Sequence, residues 1–427
     1  MVGDADLRAD VVILGGGFGG LACARELGRA GIDTLLIDRR NHNLFQPLLY
    51  QVATAALSPA DISEPIRRTL GRLRSVRVVL GECDGIDTTA CRVHLRDGRS
   101  VGFARLVIAT GSEYTYFGHE DWPAHAPGLK TVHEARTIRQ RLLLGYERAE
   151  TSPDPAIRSA ALTTVIVGGG PTGVEMAGAI SELGRDMIAR DFRHLSPEQV
   201  RVILVEAGPR LLAGFPEELS DYTERILRGR GVEVMVHSSV QAIRDQSVTI
   251  AEEEIACSCI VWAAGVKPSP AARWLGIEAG PQGKVPVGPD LRVTGLPAVF
   301  ALGDTAYLAQ DGHPLPALAQ VAKQQGRWLG RMLVAEASGK AEPRTFRFRN
   351  RGNTAVIGRN AAIFDFGRWR LKGRTAWFLW AAVHVVLLVN FEKRALVTLQ
   401  WTFRYLTRQR GARLIDEDPR LKDDASA

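Results

Sequence analysis

A strand, a glycine-rich turn, a helix, a second strand and a closing acid follow one another twice along this chain. The first copy runs Val11-Val12-Ile13-Leu14, then Gly15-Gly16-Gly17-Phe18-Gly19-Gly20, a helical pattern through Arg29, and Thr34 to Ile37 closed by Asp38. The second runs Val165-Ile166-Val167, then Gly168-Gly169-Gly170-Pro171-Thr172-Gly173, a helix, and Arg201 to Val205 closed by Glu206. G-x-G-x-x-G lets the backbone turn tightly, approach a pyrophosphate with no Cβ in the way and pack the helix on the strand, while the helix N-terminus faces the negative charge. Alone the pattern is a common turn. An apolar strand before it, a helix after it and an acid for the ribose hydroxyls make each copy a dinucleotide site. Gly15, Gly17 and Gly20 pair with Asp38, eighteen residues after Gly20; Gly168, Gly170 and Gly173 pair with Glu206 across a longer gap that the insertion from Arg190 to Gln199 explains.

Further apolar strands ending in small residues recur at Arg105 to Gly111, Ile260 to Gly265 and Ala298 to Asp304. Strands alternating with helical stretches predict an α/β fold with two Rossmann-like, doubly wound dinucleotide-binding domains. At 427 residues the chain is too long for one hydrophobic core. We read residues 1–115 and 266–336 as an FAD-binding domain, residues 116–265 as an inserted NADH-binding domain, and residues 337–427 as a C-terminal helical module that anchors to a membrane.

Two such sites in one chain are explained economically by a flavin held permanently and a nicotinamide that delivers hydride to it. A carboxylate at Glu206 would bond a 2′-hydroxyl and repel a 2′-phosphate, which favours NADH over NADPH; Arg210, four residues on, works against that preference. Asp304, after Gly303 at the end of a late strand, suits a ribityl hydroxyl, with a helix N-cap as its alternative role. The helix expected from Pro316 to Val334 would aim its positive end at the flavin pyrimidine.

The cysteines (Cys23, Cys83, Cys91, Cys257, Cys259) form no C-x-x-C pair and are too few to staple the chain, so a reducing compartment fits, and electrons must leave the flavin without a redox dithiol. Histidines and carboxylates show no metal-ligand spacing, so no metal is expected. The N-terminus carries no apolar signal core, which implies that the protein stays where it is made.

Residues 341–413 hold fifteen Arg and Lys against three acids, a local +12 within a net charge of +7. The stretch from Trp377 to Val389 is apolar except for His384, and a second helix is expected from Arg394 to Arg410. A thirteen-residue helix reaches about 20 Å, short of a bilayer core of about 30 Å, so this run does not span a membrane. On a helical wheel Leu396, Leu399, Phe403 and Leu406 share one arc, with Arg404 and Arg408 on another beside Trp401; Trp369, Trp377, Trp380 and Trp401 suit headgroup depth. We take residues 375–413 as the lipid-binding surface, with no nucleic acid partner. A dimer interface or docking on the body is the alternative use of this apolar run.

Taken together, these residues resemble the type II NADH:quinone oxidoreductases, single-chain respiratory enzymes bound to one membrane face. The resemblance covers nearly the whole chain. Besides both glycine motifs it rests on Asn41-His42-Asn43-Leu44-Phe45-Gln46-Pro47-Leu48-Leu49-Tyr50-Gln51-Val52-Ala53-Thr54, on Tyr116-Phe117-Gly118-His119, and on Ala319-Gln320-Val321-Ala322-Lys323-Gln324, which matches the family's A-Q-x-A-x-Q signature on the quinone side. It implies electron transfer from NADH through non-covalent FAD to ubiquinone or menaquinone without proton pumping, on the cytoplasmic face of a bacterial inner membrane, with a homodimer left open. By that resemblance Glu175 is similar to an acid placed between nicotinamide and quinone, and Gln320 and Gln324 resemble quinone-site residues; an acid in a first helical turn and a solvated polar face are their plainer roles. The cofactor set is Gly15, Gly17, Phe18, Gly19, Gly20, Asp38, Arg39, Cys83 (by its backbone), Thr110, Gly111, Gly303, Asp304 and Ala319 on the flavin side, and Gly168, Gly170, Thr172, Gly173, Glu206 and Gly265 on the nicotinamide side. A soluble NADH oxidase or ferredoxin-type reductase, and a non-catalytic NADH-responsive scaffold, are the competing readings.

Overall fold

The computed structural model describes residues 7–340, 345–388, 391–407 and 411–415. Contacts divide the chain into two units: Met1–Leu44, Ser63–Tyr114 and Val266–Arg351 in the first, Phe45–Ile62, Thr115–Gly265 and Gly352–Ala427 in the second.

In the first unit, strands Leu296–Ala301, Ser100–Ile108, Leu7–Leu14, Thr34–Asp38 and Val76–Leu80 lie side by side and parallel, with the hairpin Cys83–Asp87/Arg92–Leu95 added antiparallel at Ser100–Ile108. The unbroken apolar run Val11–Leu14 of strand Leu7–Leu14 follows from its central place, because a parallel strand is covered on both faces. One face buries Val12, Leu14, Leu35, Ile37, Phe103 and Leu106; the other buries Val11, Ile13, Leu36, Val107 and Phe300 under helices Phe18–Arg29 and Ala319–Ala337. Each fully buried side chain of this kind contributes roughly 1.5–3 kcal/mol. The late helix begins at Ala319, three residues after the expected start.

The second unit repeats the plan with a parallel sheet in the order Val232–Met235, Arg201–Val205, Thr163–Val167, Cys259–Trp262. Both doubly wound sheets are thus as the sequence predicts. A three-stranded antiparallel sheet, Asn353–Gly358, Ala361–Asp365 and Arg370–Gly373, packs by its first strand on helix Pro171–Asp191. Helices Arg374–Leu387 and Phe391–Thr407 follow. No helix among the described residues is long and apolar enough to cross a membrane.

Two segments fall elsewhere than the expected boundaries put them. Residues 352–427 belong to the second unit instead of forming a module of their own, because Trp380, Leu388 and Val397 are buried and helix Phe391–Thr407 packs on Pro59–Ile62. Residues 45–62 leave the first unit for the second, where Leu48, Leu49 and Val52 are fully buried and helix Leu49–Ala53 packs on Val132–Thr151 and Pro171–Asp191.

Candidate active site

Each glycine turn is built by the same two steric requirements. Gly15 and Gly168 sit at φ +101° and +110°, where a side chain is strained, and a Cβ on either would press into the backbone of the neighbouring parallel strand's end, Ala109 or Ala263. A Cβ on Gly20 would overlap Gly15 O, and one on Gly173 would overlap Gly168 O, so strand and helix meet at backbone contact. By contrast nothing lies within 4 Å of where a Cβ would stand on Gly17 or Gly170, the N-caps of the two helices, and no side chain caps either helix. The result is two open cradles at positive helix ends.

The acids are placed alike as well. Asp38 Oδ2 accepts the Gly16 N–H at 2.6 Å and its Oδ1 the Arg40 N–H at 2.7 Å; Glu206 Oε2 accepts the Gly169 N–H at 2.6 Å and its Oε1 the Gly208 N–H at 2.6 Å. Each carboxylate keeps further lone pairs for ribose hydroxyls. Asn43, which motif spacing could not single out, braces the first turn by donating to Gly16 O at 3.0 Å. Arg39 is held by Glu113 at 3.3 Å with Glu82 at 3.8 Å. Arg210 donates to the carbonyls of Phe215 and Ala213, each at 2.9 Å, and is therefore engaged within its own loop rather than aimed at a phosphate.

Around Gly111 and Gly303, both at positive φ, polar groups converge from four separate stretches of the first unit. Thr110 Oγ1 meets Ser269 Oγ at 2.5 Å and Thr305 Oγ1 at 3.3 Å, while Ser112 Oγ donates to Asp304 Oδ2 at 2.6 Å. Gln325 Oε1 accepts the Gly303 N–H at 2.7 Å. Asp304 lies in a short 3-10 turn, so the N-cap alternative for the late helix does not apply: that cap is Leu318, with no side-chain bond. Cys83 opens the hairpin strand with its thiol buried and pushed up to about 12 by desolvation; Ala319 is the first residue of the late helix.

Gln320 and Gln324 point along one face of that helix, as i, i+4 spacing requires. Their amides are engaged by the segment 349–351: Gln324 accepts the Arg349 N–H at 3.1 Å and donates to Arg349 O at 2.9 Å, and Gln320 accepts the Arg351 N–H at 3.2 Å. They brace a chain segment in the structure.

Glu175 is the fifth residue of its helix, beyond the first turn, so the macrodipole role does not fit. Its carboxyl accepts one N–H, from Val356 at 3.3 Å. Although the residue keeps some accessible surface, desolvation pushes the carboxyl up to about 8, with the Val356 bond opposing weakly. At neutral pH it is mostly an acid that holds a proton. Gly265 lies between strands Cys259–Trp262 and Val266–Pro268, beside Phe117, an exposed aromatic at φ +52° whose ring meets Trp262 edge-on at 6.2 Å. Thr172 lies in the first turn of the Glu175 helix.

The cysteines are free, and burial pushes the thiols of Cys23, Cys257 and Cys259 up to about 12, so none of these three offers a thiolate for dithiol chemistry. Among the described residues no three His, Cys, Asp or Glu side chains gather as a metal site.

Comparison with known proteins decides among flavoenzyme families of this shape. Residues 9–326 match the family of pyridine nucleotide-disulphide oxidoreductases. Over 95% of its length the chain is 39% identical to the type II NADH:quinone oxidoreductase NdhA of Mycobacterium tuberculosis, covering 88% of that protein, and 37% identical to Ndh of the same organism, covering 89%. The chain belongs to the type II NADH:quinone oxidoreductases. In fold it is similar to NDH2 from Plasmodium falciparum, solved in complex with NADH, with a TM-score of 0.87, 19% identity, and 96% and 100% of the two chains covered.

The residues of this type II oxidoreductase fit two dinucleotides. The uncapped helix ends, the space in front of Gly17 and Gly170, and the acids already oriented by the turns are what a pyrophosphate and an adenosine ribose require. The Ser112–Asp304 pair and the Thr110–Ser269–Thr305 hydroxyls add the polar lining that a flavin's ribityl chain and ring edge need in the first unit.

The terminal helix has two unlike sides. Leu396, Leu399, Phe403 and Leu406, the arc expected to be apolar, are all exposed, Leu399 at 68% and Leu406 at 75%. On the other side Val397 is buried, and Gln400, Trp401 and Arg404 bond inward to Asp61 (3.4 Å), Gln51 (2.9 Å) and Ala56 O (3.0 Å). The polar stripe grips the protein and the apolar one faces out. Trp380 is not at the surface: it is 2% exposed and stacked on Trp401, with ring centres 5.2 Å apart. Trp369 is 76% exposed on the preceding turn, between exposed Arg368 and Arg370, and Arg408 lies outside the described residues.

Proposed function

We propose that this type II oxidoreductase binds NADH at the Gly168–Gly173 turn and FAD, non-covalently, at the Gly15–Gly20 turn, and reduces a quinone drawn from a membrane on which the apolar side of its terminal helix rests. The observation that carries the reading is the pairing of two complete dinucleotide cradles with thiols that are all free and mostly buried, so that electrons leave the flavin directly. Bound FAD supplies two-electron acceptance from NADH and release to a quinone.

The chain's own residues bind and orient. Glu206 and Asp38 take the two adenosine riboses, and Glu206 turns away a 2′-phosphate. Asp304 and Thr110 hold the ribityl side, and the late helix aims its uncapped end at the ring that gains negative charge. Gln320 and Gln324 shape the quinone side by fixing residues 349–351. Glu175 holds the proton that a reduced quinone oxygen takes. Exposed Leu399, Phe403 and Leu406, with Arg368 and Arg370 beside Trp369, suit an anionic bilayer surface; each basic residue there adds about 1 kcal/mol. This reading puts the enzyme on the cytoplasmic face of a bacterial inner membrane, where NADH is supplied.

Steady-state NADH oxidation by the purified holoenzyme, with and without a short-chain quinone, tests it. Strong quinone dependence, together with release of FAD on denaturation, is expected. Turnover with oxygen alone at the same rate would make it a soluble NADH oxidase instead.

A further inference from the structure

The order of the second unit's parallel sheet directs where each part of a dinucleotide can lie. From strand Thr163–Val167 the chain goes outward to Arg201–Val205 and Val232–Met235 on one side, then returns to place Cys259–Trp262 on the other. All these strands run parallel, so their carboxyl ends share one edge, and the crevice at the reversal opens between Thr163–Val167 and Cys259–Trp262. The Gly168–Gly173 turn follows the first of that pair, and Glu206 follows Arg201–Val205. With a pyrophosphate at the turn and the adenosine ribose at Glu206, the other nucleotide is led over the end of Cys259–Trp262. The turn abuts that end: a Cβ on Gly168 would press on the backbone of Ala263 and Ala264, and Gly265 comes next.

The side chain standing at this end is Phe117. A Cβ on Gly265 would lie 3.1 Å from the ring's Cζ and 3.2 Å from Thr115 Cγ2, so the bare Cα of Gly265 is what lets the ring come so near the strand end. The residue is 64% exposed and sits at φ +52°, a strained conformation for a bulky side chain. Among the described residues two other large apolar side chains, Leu212 and Leu291, belong to residues at positive φ, and both are buried, so their packing offsets the strain. Phe117 has little such packing of its own. Its neighbours hold it instead. Tyr116 stacks on Trp262 with ring centres 5.0 Å apart and donates its hydroxyl to Ala126 O at 2.8 Å; Trp262 donates its indole N–H to Thr115 O at 2.9 Å, and the Phe117 N–H donates to Thr115 Oγ1 at 3.3 Å. Strain that the surroundings impose on an exposed side chain beside a binding crevice is the mark of a group set out to meet a ligand.

We propose that Phe117 is a positioning residue for the nicotinamide end of NADH, its ring packing against the nicotinamide ring at the end of strand Cys259–Trp262. This rests on the reading above that NADH takes the second glycine turn. Ala263, Ala264 and Gly265 leave that strand end small and without an aromatic surface of its own, and a planar ring prefers an aromatic partner to solvent. Adenosine and pyrophosphate are held by Glu206 and the turn; Phe117 acts on the half of the molecule that neither of them reaches.

Calorimetric titration of the oxidised holoenzyme with NAD+ and with ADP-ribose, which keeps the adenosine, the pyrophosphate and the second ribose but has no nicotinamide, reads this directly. Phe117→Ala should raise Kd for NAD+ about 3- to 10-fold and that for ADP-ribose by less than about twofold. Phe117→Tyr, which keeps the ring, should stay near wild type. If the alanine variant loses its flavin, Phe117→Leu, of similar bulk without a π face, makes the same comparison. Equal weakening of both ligands would mean that the ring only supports its loop, and no weakening of either that nothing packs on it; each result overturns the role of Phe117 and leaves NADH at the second turn. A wild-type holoenzyme that binds neither ligand, or a Glu206→Gln variant that binds both as well as wild type, overturns that reading and this inference with it.

Discussion

Glu206 accepts the Gly169 N–H at 2.6 Å, the counterpart of the bond that ties Asp38 to Gly16 in the other turn. The acid to which we assign the choice of sugar is thereby also a strut of the glycine turn, and Arg210 is occupied four residues on by the carbonyls of Ala213 and Phe215.

Replacing Glu206 with Gln should therefore lower kcat/KM for NADH and relieve the repulsion of NADPH without creating an NADPH enzyme. Hydrogen bonds to a charged group contribute about 1.5–3 kcal/mol, roughly 10- to 150-fold. Kinetics with both nucleotides check this; a wild-type enzyme that used NADPH as well as NADH would remove the role given to Glu206.

Gln324→Leu loses two hydrogen bonds to Arg349, at about 1 kcal/mol each, and frees the segment 349–351. Quinone reduction should slow several-fold while NADH still reduces the flavin near the normal rate. Equal loss of both half-reactions, with flavin bound, would mean that the glutamine supports the whole unit.

For Glu175 the raised proton affinity has a consequence for stability. Between about pH 4.5 and 8 the folded chain holds a proton that the unfolded chain has released, so stability falls as pH rises through that window and levels off above it. The thermal midpoint of Glu175→Gln, compared with wild type, should gain from pH 5 to 8 and then stay constant. A difference independent of pH would show that the carboxyl ionises as it does in water.

The lipid surface is best tested by point changes. Cutting the chain at Thr375 would strip Trp380, Leu388 and Val397 from the core of the second unit, so lost activity would carry no information about membranes. Leu399→Ser, Phe403→Ser and Leu406→Ser together alter only outward side chains, each worth roughly 1.5–3 kcal/mol when buried. The triple variant should stay in solution with anionic vesicles that sediment the wild type, and still reduce its flavin with NADH. Co-sedimentation equal to wild type would place the contact elsewhere, and a wild type that forms dimers without binding vesicles would make this the interface between copies.

Both sheets and both cradles were legible because their determinants are local: the apolar strand, the turn and the helix lie within some twenty residues, and the acid follows at the next strand end. The arc of Leu396, Leu399, Phe403 and Leu406 was legible for the same reason, since helical spacing needs no partner. What faced that arc's opposite side was not. Gln51 and Trp401 are 350 residues apart, Gln320 and Arg351 are 31 apart with no shared element, and Thr110, Ser269 and Thr305 meet only through the folded sheet. Trp380 was misplaced at the surface because an aromatic run on an apolar helix reads alike whether it meets lipid or another tryptophan.

The detour of residues 45–62 out of one unit and into the other sets an order on how the chain can assemble. The unit begun by the first strand is complete once Arg351 has been made, whereas the one begun at Phe45 still lacks its last sheet and both final helices. At synthesis rates of about 5–20 residues per second, Leu48, Leu49 and Val52 wait many seconds after translation before Trp401 and its helix arrive to cover their neighbours. The nascent protein is at its most adhesive late rather than early, and the late-emerging helix Phe391–Thr407 is the one that carries its own apolar face outward.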